Sequence, residues 1–82
     1  MAKQSPRQTS LDEVPIGESA LVTGFVEGSS PIRLVELGFI PGSTVTPLRK
    51  APLGDPIEYA LVGGRVALRA SDASFVLVRR QP

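Results

Sequence analysis

The sequence predicts a mainly β fold, a small and strongly bent β-barrel of about five short strands with one short helix. Short runs rich in apolar and β-branched residues recur along the chain, and clusters of proline and glycine separate them. Only one stretch carries both a start and a stop signal for a helix of more than one turn. With 82 residues, of which 41% are hydrophobic, the chain has a core for one domain only.

The N-terminal residues predict a flexible tail followed by a single helical turn. Residues 1–9 are polar and include Pro6, so we expect a tail there and a domain over residues 10–80. Residues 10–13 have the spacing of a capping box, with a hydroxyl at the N-cap and a carboxylate three residues later. Pro15 and Gly17 follow at once, which limits the helix to one turn.

The next two elements are a strand and the helix. Residues 19–27 are β-rich, and Gly24 indicates a bulge or a bend. Residues 31–37 predict a helix, because Ser30 suits the N-cap and Gly38 suits the left-handed position after the last turn. Two turns are not stable in isolation, so this helix must pack on the sheet.

The middle of the chain predicts a turn, a strand and a loop. Pro41-Gly42 is typical of a type II turn, since proline presets φ and glycine supplies a positive φ. Residues 44–50 predict a strand, but Pro47 lies inside it and lacks the ladder donor. We therefore expect an edge strand or a bulged strand. Residues 51–56, with two prolines and a glycine, predict a loop.

The C-terminal third predicts three strands. Apolar and polar residues alternate over residues 57–62, and Gly63-Gly64 is typical of a two-residue hairpin turn. A second alternating strand follows over residues 65–69. After a short turn at residues 71–73, the last strand covers residues 75–80. Closing these strands into a barrel would remove most of the exposed sheet edge.

Composition excludes several function classes. The sequence has no cysteine and no histidine, which removes disulfides, the usual transition-metal ligands and the commonest general base. Asp55 and Glu58 have no third ligand nearby in sequence, so we expect a solvated loop there and no metal site. A net charge of +1 and four aromatic residues disfavour nucleic-acid binding. No run approaches the ~20 apolar residues of a membrane span. We predict a binding module that is not an enzyme.

A small barrel cannot bury all the apolar residues of this chain, and the excess predicts a partner surface. Leu53 lies at a loop tip between Pro52 and Gly54. If Val76 and Val78 face inward, Phe75 and Leu77 face outward. Phe39 and Ile40 either join this surface or fill the end of the barrel beneath the helix. A basic stripe across neighbouring strands, or an ordinary charged outer face, is expected from Arg49, Lys50, Arg65, Arg69, Arg79 and Arg80.

Several short motifs follow one another along the chain: Arg33-Leu34, Glu36-Leu37-Gly38-Phe39, Pro41-Gly42, Ala51-Pro52-Leu53-Gly54-Asp55-Pro56, Leu68-Arg69 and Ala73. Their order and spacing resemble the FeoA family over residues 10–79. The resemblance implies an SH3-like barrel without enzymatic activity or cofactor. It also implies a cytoplasmic protein that regulates or assembles FeoB-dependent iron(II) uptake, free or held at the inner membrane by its partner.

The expected partner is the cytosolic GTP-binding part of a FeoB-like transporter, or a second copy of the chain. Alternative interpretations are an SH3-like or OB-like nucleic-acid binder, and a regulatory domain like those of DtxR-like iron-dependent repressors. The chain has no room for a DNA-reading domain in front of the barrel, which disfavours the latter. The residues expected at the partner site are Leu37, Phe39, Pro52, Leu53, Asp55, Arg65, Arg69, Phe75 and Leu77.

Overall fold

Six antiparallel strands build the fold of the computed structural model, which describes residues 8–81. The strands are β1 (Gln8–Ser10), β2 (Ala20–Phe25), β3 (Thr44–Lys50), β4 (Ile57–Leu61), β5 (Gly64–Leu68) and β6 (Val76–Arg80). Their spatial order is β1-β6-β2-β3-β4-β5. The first part of β3 pairs with β2 and the remainder pairs with β4, so β3 belongs to both halves of the bent sheet.

The N-terminal strand was not predicted. Gln8 and Thr9, assigned to the tail from sequence, pair with Arg79 and Val78 of β6, because β6 offers a free edge to any extended segment beside it. The rest of the expected tail, residues 1–7, lies outside the described residues.

The single helical turn expected after the tail is a 3₁₀ turn over Leu11–Glu13. The Ser10 side chain makes no capping hydrogen bond, so the predicted capping box does not form. Instead the Thr9 hydroxyl donates to a Glu13 carboxylate oxygen at 2.7 Å.

Two irregular positions in the strands bend the sheet. The register of β2 against β6 shifts between Val22 and Gly24, which confirms the bulge expected at Gly24. The register of β3 against β4 shifts between Pro47 and Arg49, which confirms a bulged strand. The edge position considered for this strand is wrong, because β3 lies between β2 and β4. Proline is tolerated there since its missing donor falls beside the bulge.

The β4–β5 hairpin turn lies one residue earlier than predicted. Leu61 pairs with Gly64, so the two turn residues are Val62 and Gly63. Gly63 has φ of 93° and supplies the positive φ of this turn, whereas Val62 before it does not have a positive φ. Gly64 is the first residue of β5 and not part of the turn.

Two short helices accompany the sheet. Helix α1 (Ile32–Leu37) begins one residue after the predicted start, with Pro31 as its N-cap. Gly38 ends it in the left-handed conformation with φ of 114°, as expected. Helix α2 (Ala70–Ala73) is a single turn where only a turn was predicted. It packs against the 3₁₀ turn.

The core lies between the two halves of the bent sheet and is covered by α1 and the 3₁₀ turn. Its buried apolar residues are Leu11, Val14, Ala20, Val22, Leu34, Phe39, Val45, Ile57, Tyr59, Leu68, Ala73, Val76 and Val78. Val76 and Val78 face inward, as predicted. Strands β1 and β5 are the two ends of the spatial order, so hydrogen bonds between described strands do not close the barrel. Closure would require β5 to pair with β1, which is only three residues long.

Within residues 8–81, no helix is long and apolar enough to cross a lipid bilayer.

Candidate functional site

The loop between β3 and β4 presents the most exposed apolar side chain of the candidate site. Leu53 is 97% exposed at the loop tip, as expected, and Pro52 beside it is also exposed. The loop is held by two backbone hydrogen bonds, from Gly54 N to Ala51 O at 2.7 Å and from Ala51 N to Pro56 O at 2.9 Å. An apolar side chain on a hydrogen-bonded loop loses little backbone freedom when a partner covers it.

Asp55 connects this loop to helix α2. Its Oδ1 accepts a hydrogen bond from Ala70 N at 2.8 Å, so it satisfies one of the backbone donors at the start of the helix. Glu58, the other carboxylate of this region, forms an ion pair with Arg49 at 2.7 Å. Asp55 and Glu58 therefore have different protein partners and do not converge on one point.

Phe39 is fully buried, so its place in the expected partner site is wrong. The left-handed Gly38 turns the chain inward, and Phe39 N then donates to Leu34 O at 3.0 Å. Its ring meets the Tyr59 ring edge-on, with 6.0 Å between the centroids. The alternative interpretation, that Phe39 and Ile40 fill the end of the barrel, is confirmed for the buried Phe39 but is wrong for Ile40, which is 50% exposed.

The two outward residues of the last strand region are separated. Phe75, just before β6, is 42% exposed and lines a cleft beside α1 together with Arg33 and Asp72. Leu77 is half-buried on β6, between Ser10 of β1 and Gly24 of β2. Phe75 is accessible from the α1 side, whereas Leu77 belongs to the surface of the β1-β6-β2 half.

The arginines do not form one stripe. Arg65 and Arg69 are exposed on and after β5, whereas Arg79 and Arg80 lie on β6, and β5 and β6 are not neighbours in the sheet. Arg80 pairs with Glu18, a contact between two partly exposed side chains. We expected β5 and β6 to be neighbouring strands, but β6 pairs with β1 and β2 instead.

Sequence reasoning missed two clefts that lie between residues of α1 and residues of the β5 region. Leu37 and Arg65 line the first, of about 230 Å³, with Leu61 and Val66. Arg69 lines the second, of about 310 Å³, with Arg33. Three expected site residues, Leu37, Arg65 and Arg69, therefore line these two clefts, which together we call the α1–β5 groove. No local motif indicates it, because its walls come from segments distant in sequence.

Tyr59 is the one residue whose titration the fold clearly shifts within the described range. Its side chain is fully buried, and its hydroxyl has no hydrogen-bond partner among residues 8–81. Burial, and then the negative charges of Asp12 and Asp55, raise the pKa of Tyr59 well above its ordinary value. The hydroxyl is therefore neutral near pH 7 and offers no base.

The carboxylates of the described chain are dispersed over the surface. Nowhere between Gln8 and Gln81 do three or more carboxylate, histidine or cysteine side chains gather closely enough to hold a metal ion.

The sequence matches the FeoA domain model over residues 9–80. A curated relative, the Fe(2+) transport protein A/Fe(2+) transporter FeoB fusion protein of Porphyromonas gingivalis, is 37% identical over 70 residues. The match covers 83% of this chain but only 8% of the fusion protein.

Solved structures match the fold closely. A FeoA-like protein from Clostridium acetobutylicum is 32% identical with a TM-score of 0.84, over 93% of this chain and 90% of that one. Zinc-complexed FeoA from Stenotrophomonas maltophilia, described as a procaryotic SH3 domain protein, is 35% identical with a TM-score of 0.74, over 85% and 88% of the two chains. A manganese-dependent transcriptional repressor at 18% identity shares the fold alone, with a TM-score of 0.77 over 96% of this chain and 44% of the repressor. The SH3-like architecture is thereby confirmed, and the chain belongs to the FeoA family.

Proposed function

We propose that this protein is a non-enzymatic accessory protein of ferrous iron uptake that acts by docking on the cytosolic GTP-binding part of a FeoB-like transporter. The observation that carries the proposal is the Porphyromonas gingivalis relative, whose name joins Fe(2+) transport protein A and the transporter FeoB in one polypeptide. Two proteins that are joined in one species commonly work side by side where they are separate. On this proposal the protein acts in the cytoplasm, at the membrane surface when its partner holds it there.

The surface of the domain supports docking better than catalysis. Leu53 is almost fully exposed on a hydrogen-bonded loop, and Asp55 ties that loop to α2. Burying one leucine side chain contributes about 1.5–3 kcal/mol, which corresponds to about tenfold or more in affinity. In contrast, the carboxylates near this loop are occupied by Ala70 N and Arg49, so they do not form a general acid–base pair.

The direct test measures binding of the purified chain to the cytosolic part of a FeoB-like transporter in nucleotide-free, GDP-bound and GTP-analogue-bound states. We expect Leu53→Asp to weaken binding by at least about tenfold, because it removes apolar burial and adds a charge that must lose its water. The fold should be unaffected, since the side chain is 97% exposed.

Ile16→Asp is the matched control, because Ile16 is also an exposed apolar loop residue, at 45%, but lies between the 3₁₀ turn and β2. We expect it to bind as the unmodified chain does. Absence of binding in every nucleotide state would refute the proposal. Equal losses from Leu53→Asp and Ile16→Asp would refute the role of the loop.

A further inference from the structure

Among the described residues, strand β5 has one edge without a strand partner, called here its free edge. In the β4–β5 ladder Leu61 faces Gly64 across the two-residue turn, and hydrogen-bonded pairs alternate with non-hydrogen-bonded pairs from there. Arg65 and Ala67 occupy the non-hydrogen-bonded positions, so their backbone N–H and C=O groups point away from β4. Among residues 8–81, no backbone hydrogen bond outside the β4 ladder reaches Arg65 or Ala67.

The α1–β5 groove lies along this edge. The first of its two clefts has an apolar wall, since Leu37, Leu61 and Val66 are partly buried residues packed against the core. Arg69 and Arg33 line the second cleft. An extended segment placed beside β5 would thus have an apolar recess in one cleft and guanidinium groups in the other.

The groove carries an excess of positive charge. Arg33, Arg65 and Arg69 are exposed, and none of them forms an ion pair with a described residue. Asp72 is the carboxylate that lines the groove, and Asp55 lies nearby, bonded to Ala70 N. The side chains of Arg65, Ala67 and Arg69 point to the same face, because side chains alternate along a strand.

We infer that the free edge of β5 receives an extended acidic segment of a protein partner by strand addition in the α1–β5 groove. Main-chain hydrogen bonds to Arg65 and Ala67 provide affinity, as in other complexes formed at sheet edges. Acidic side chains on one face of the added strand meet the arginines, and apolar side chains on the other face enter the recess beside Leu37 and Val66. This inference rests on the proposed docking function and specifies the chemistry of the docked segment.

Two other occupants fit less well. A second copy of the chain, paired through its own β5, would bring four arginines to one face of the joined sheet, and like charges across strands are destabilising. Residues 1–7 of the chain carry Lys3 and Arg7 and no acidic residue, so they would add positive charge to the groove.

The test uses the full chain labelled with ¹⁵N and a short capped peptide in which glutamate alternates with valine. We expect the peptide to shift the amide signals of Arg65 and Ala67 and to slow their hydrogen exchange by about tenfold or more, as newly formed hydrogen bonds do. The same peptide with lysine in place of glutamate should bind at least about tenfold more weakly, because the groove is basic.

Ala67→Pro removes the outward N–H without removing a donor from the β4 ladder, and we expect about tenfold weaker peptide binding. Ala67→Ser keeps the N–H and is the matched control. If Ala67→Pro does not fold, the double variant Arg65→Glu/Arg69→Glu decides, because it should reverse the preference toward the lysine peptide.

Several results would overturn the inference. These are equal binding of both peptides, signal shifts confined to other strands, the same protection by a single-stranded DNA oligonucleotide, and protection of Arg65 and Ala67 by self-association alone. If the peptide does not bind, but the chain binds the transporter and Leu53→Asp weakens that binding, strand addition is refuted and the docking proposal stands. Peptide binding by a chain that never binds the transporter would refute the proposed function and leave the groove intact.

Discussion

Replacing Gly38 with alanine should lower the free energy of unfolding by more than the usual conformational cost of replacing a left-handed glycine. Gly38 ends α1 with φ of 114°, and a Cβ built there would lie 3.1 Å from Cδ1 of Leu61. The left-handed region costs an L-residue roughly 1–2 kcal/mol. The close contact adds roughly 1 kcal/mol, since Cδ1 of Leu61, a side chain partly buried against the core, must shift by a few tenths of an ångström. We expect the free energy of unfolding to fall by about 2–3 kcal/mol.

Thermal and urea denaturation monitored by circular dichroism measure this loss. For a domain of this size each kcal/mol lowers Tm by about 4–8 °C, so Tm should fall by roughly 10 °C or more. Gly42→Ala is the matched control, because Gly42 has φ of 98° but a Cβ added there would meet no atom of a non-adjacent residue within 4 Å. It should lose only the conformational part, about 1–2 kcal/mol.

The difference between the two variants isolates the contact with Leu61. Combining Gly38→Ala with Leu61→Ala should recover about 1 kcal/mol relative to the sum of the single losses, which a double-mutant cycle measures. If Gly38→Ala costs no more than Gly42→Ala, the close contact is not present. If neither variant loses stability, the left-handed backbone conformations of Gly38 and Gly42 are wrong.

Three further outcomes are expected from the core, the loop and the buried hydroxyl. Leu11→Ala, at a fully buried position, should lower the free energy of unfolding by about 2–5 kcal/mol in urea denaturation, and a loss below about 1 kcal/mol would contradict its place in the core. Asp55→Ala should cost about 1 kcal/mol through the lost bond to Ala70 N, while Asp55→Asn, which keeps an acceptor, should cost less. Because burial raises the pKa of Tyr59, the unfolded chain releases this proton first. The contribution of Tyr59 to stability should therefore be constant up to about pH 10 and fall above it, and Tyr59→Phe should flatten that fall.

Local sequence signals predicted the structure correctly wherever a single residue determines the backbone conformation. Gly38 and Gly42 adopt the positive φ values that their flanking residues indicate. Gly24 and Pro47 coincide with register shifts, because a missing side chain or a missing donor weakens a regular ladder. Strand β1 was missed because its residues are polar, and only the neighbouring edge of β6 makes them a strand.

The candidate site was predictable only in part. Leu53 could be recognised from its position between Pro52 and Gly54, since a loop tip leaves little around a side chain to bury it. The position of Phe39 could not be predicted, because an apolar residue directly after a helix is compatible both with a partner surface and with burial at the end of the barrel. The α1–β5 groove depends on which strands are neighbours, and that order is set by pairing between distant segments rather than by local pattern.

The position of β6 has a consequence for how the domain is made. It hydrogen-bonds to both β1 and β2, so Gln8 finds its partner only at Arg79, and Ala20, which also pairs with Val45, finds its second partner at Arg80. During translation the N-terminal strands therefore emerge long before the segment that completes their ladder. Non-local pairing of this kind slows folding. The domain should acquire its native form only after residue 80 has left the ribosome, in a single late step.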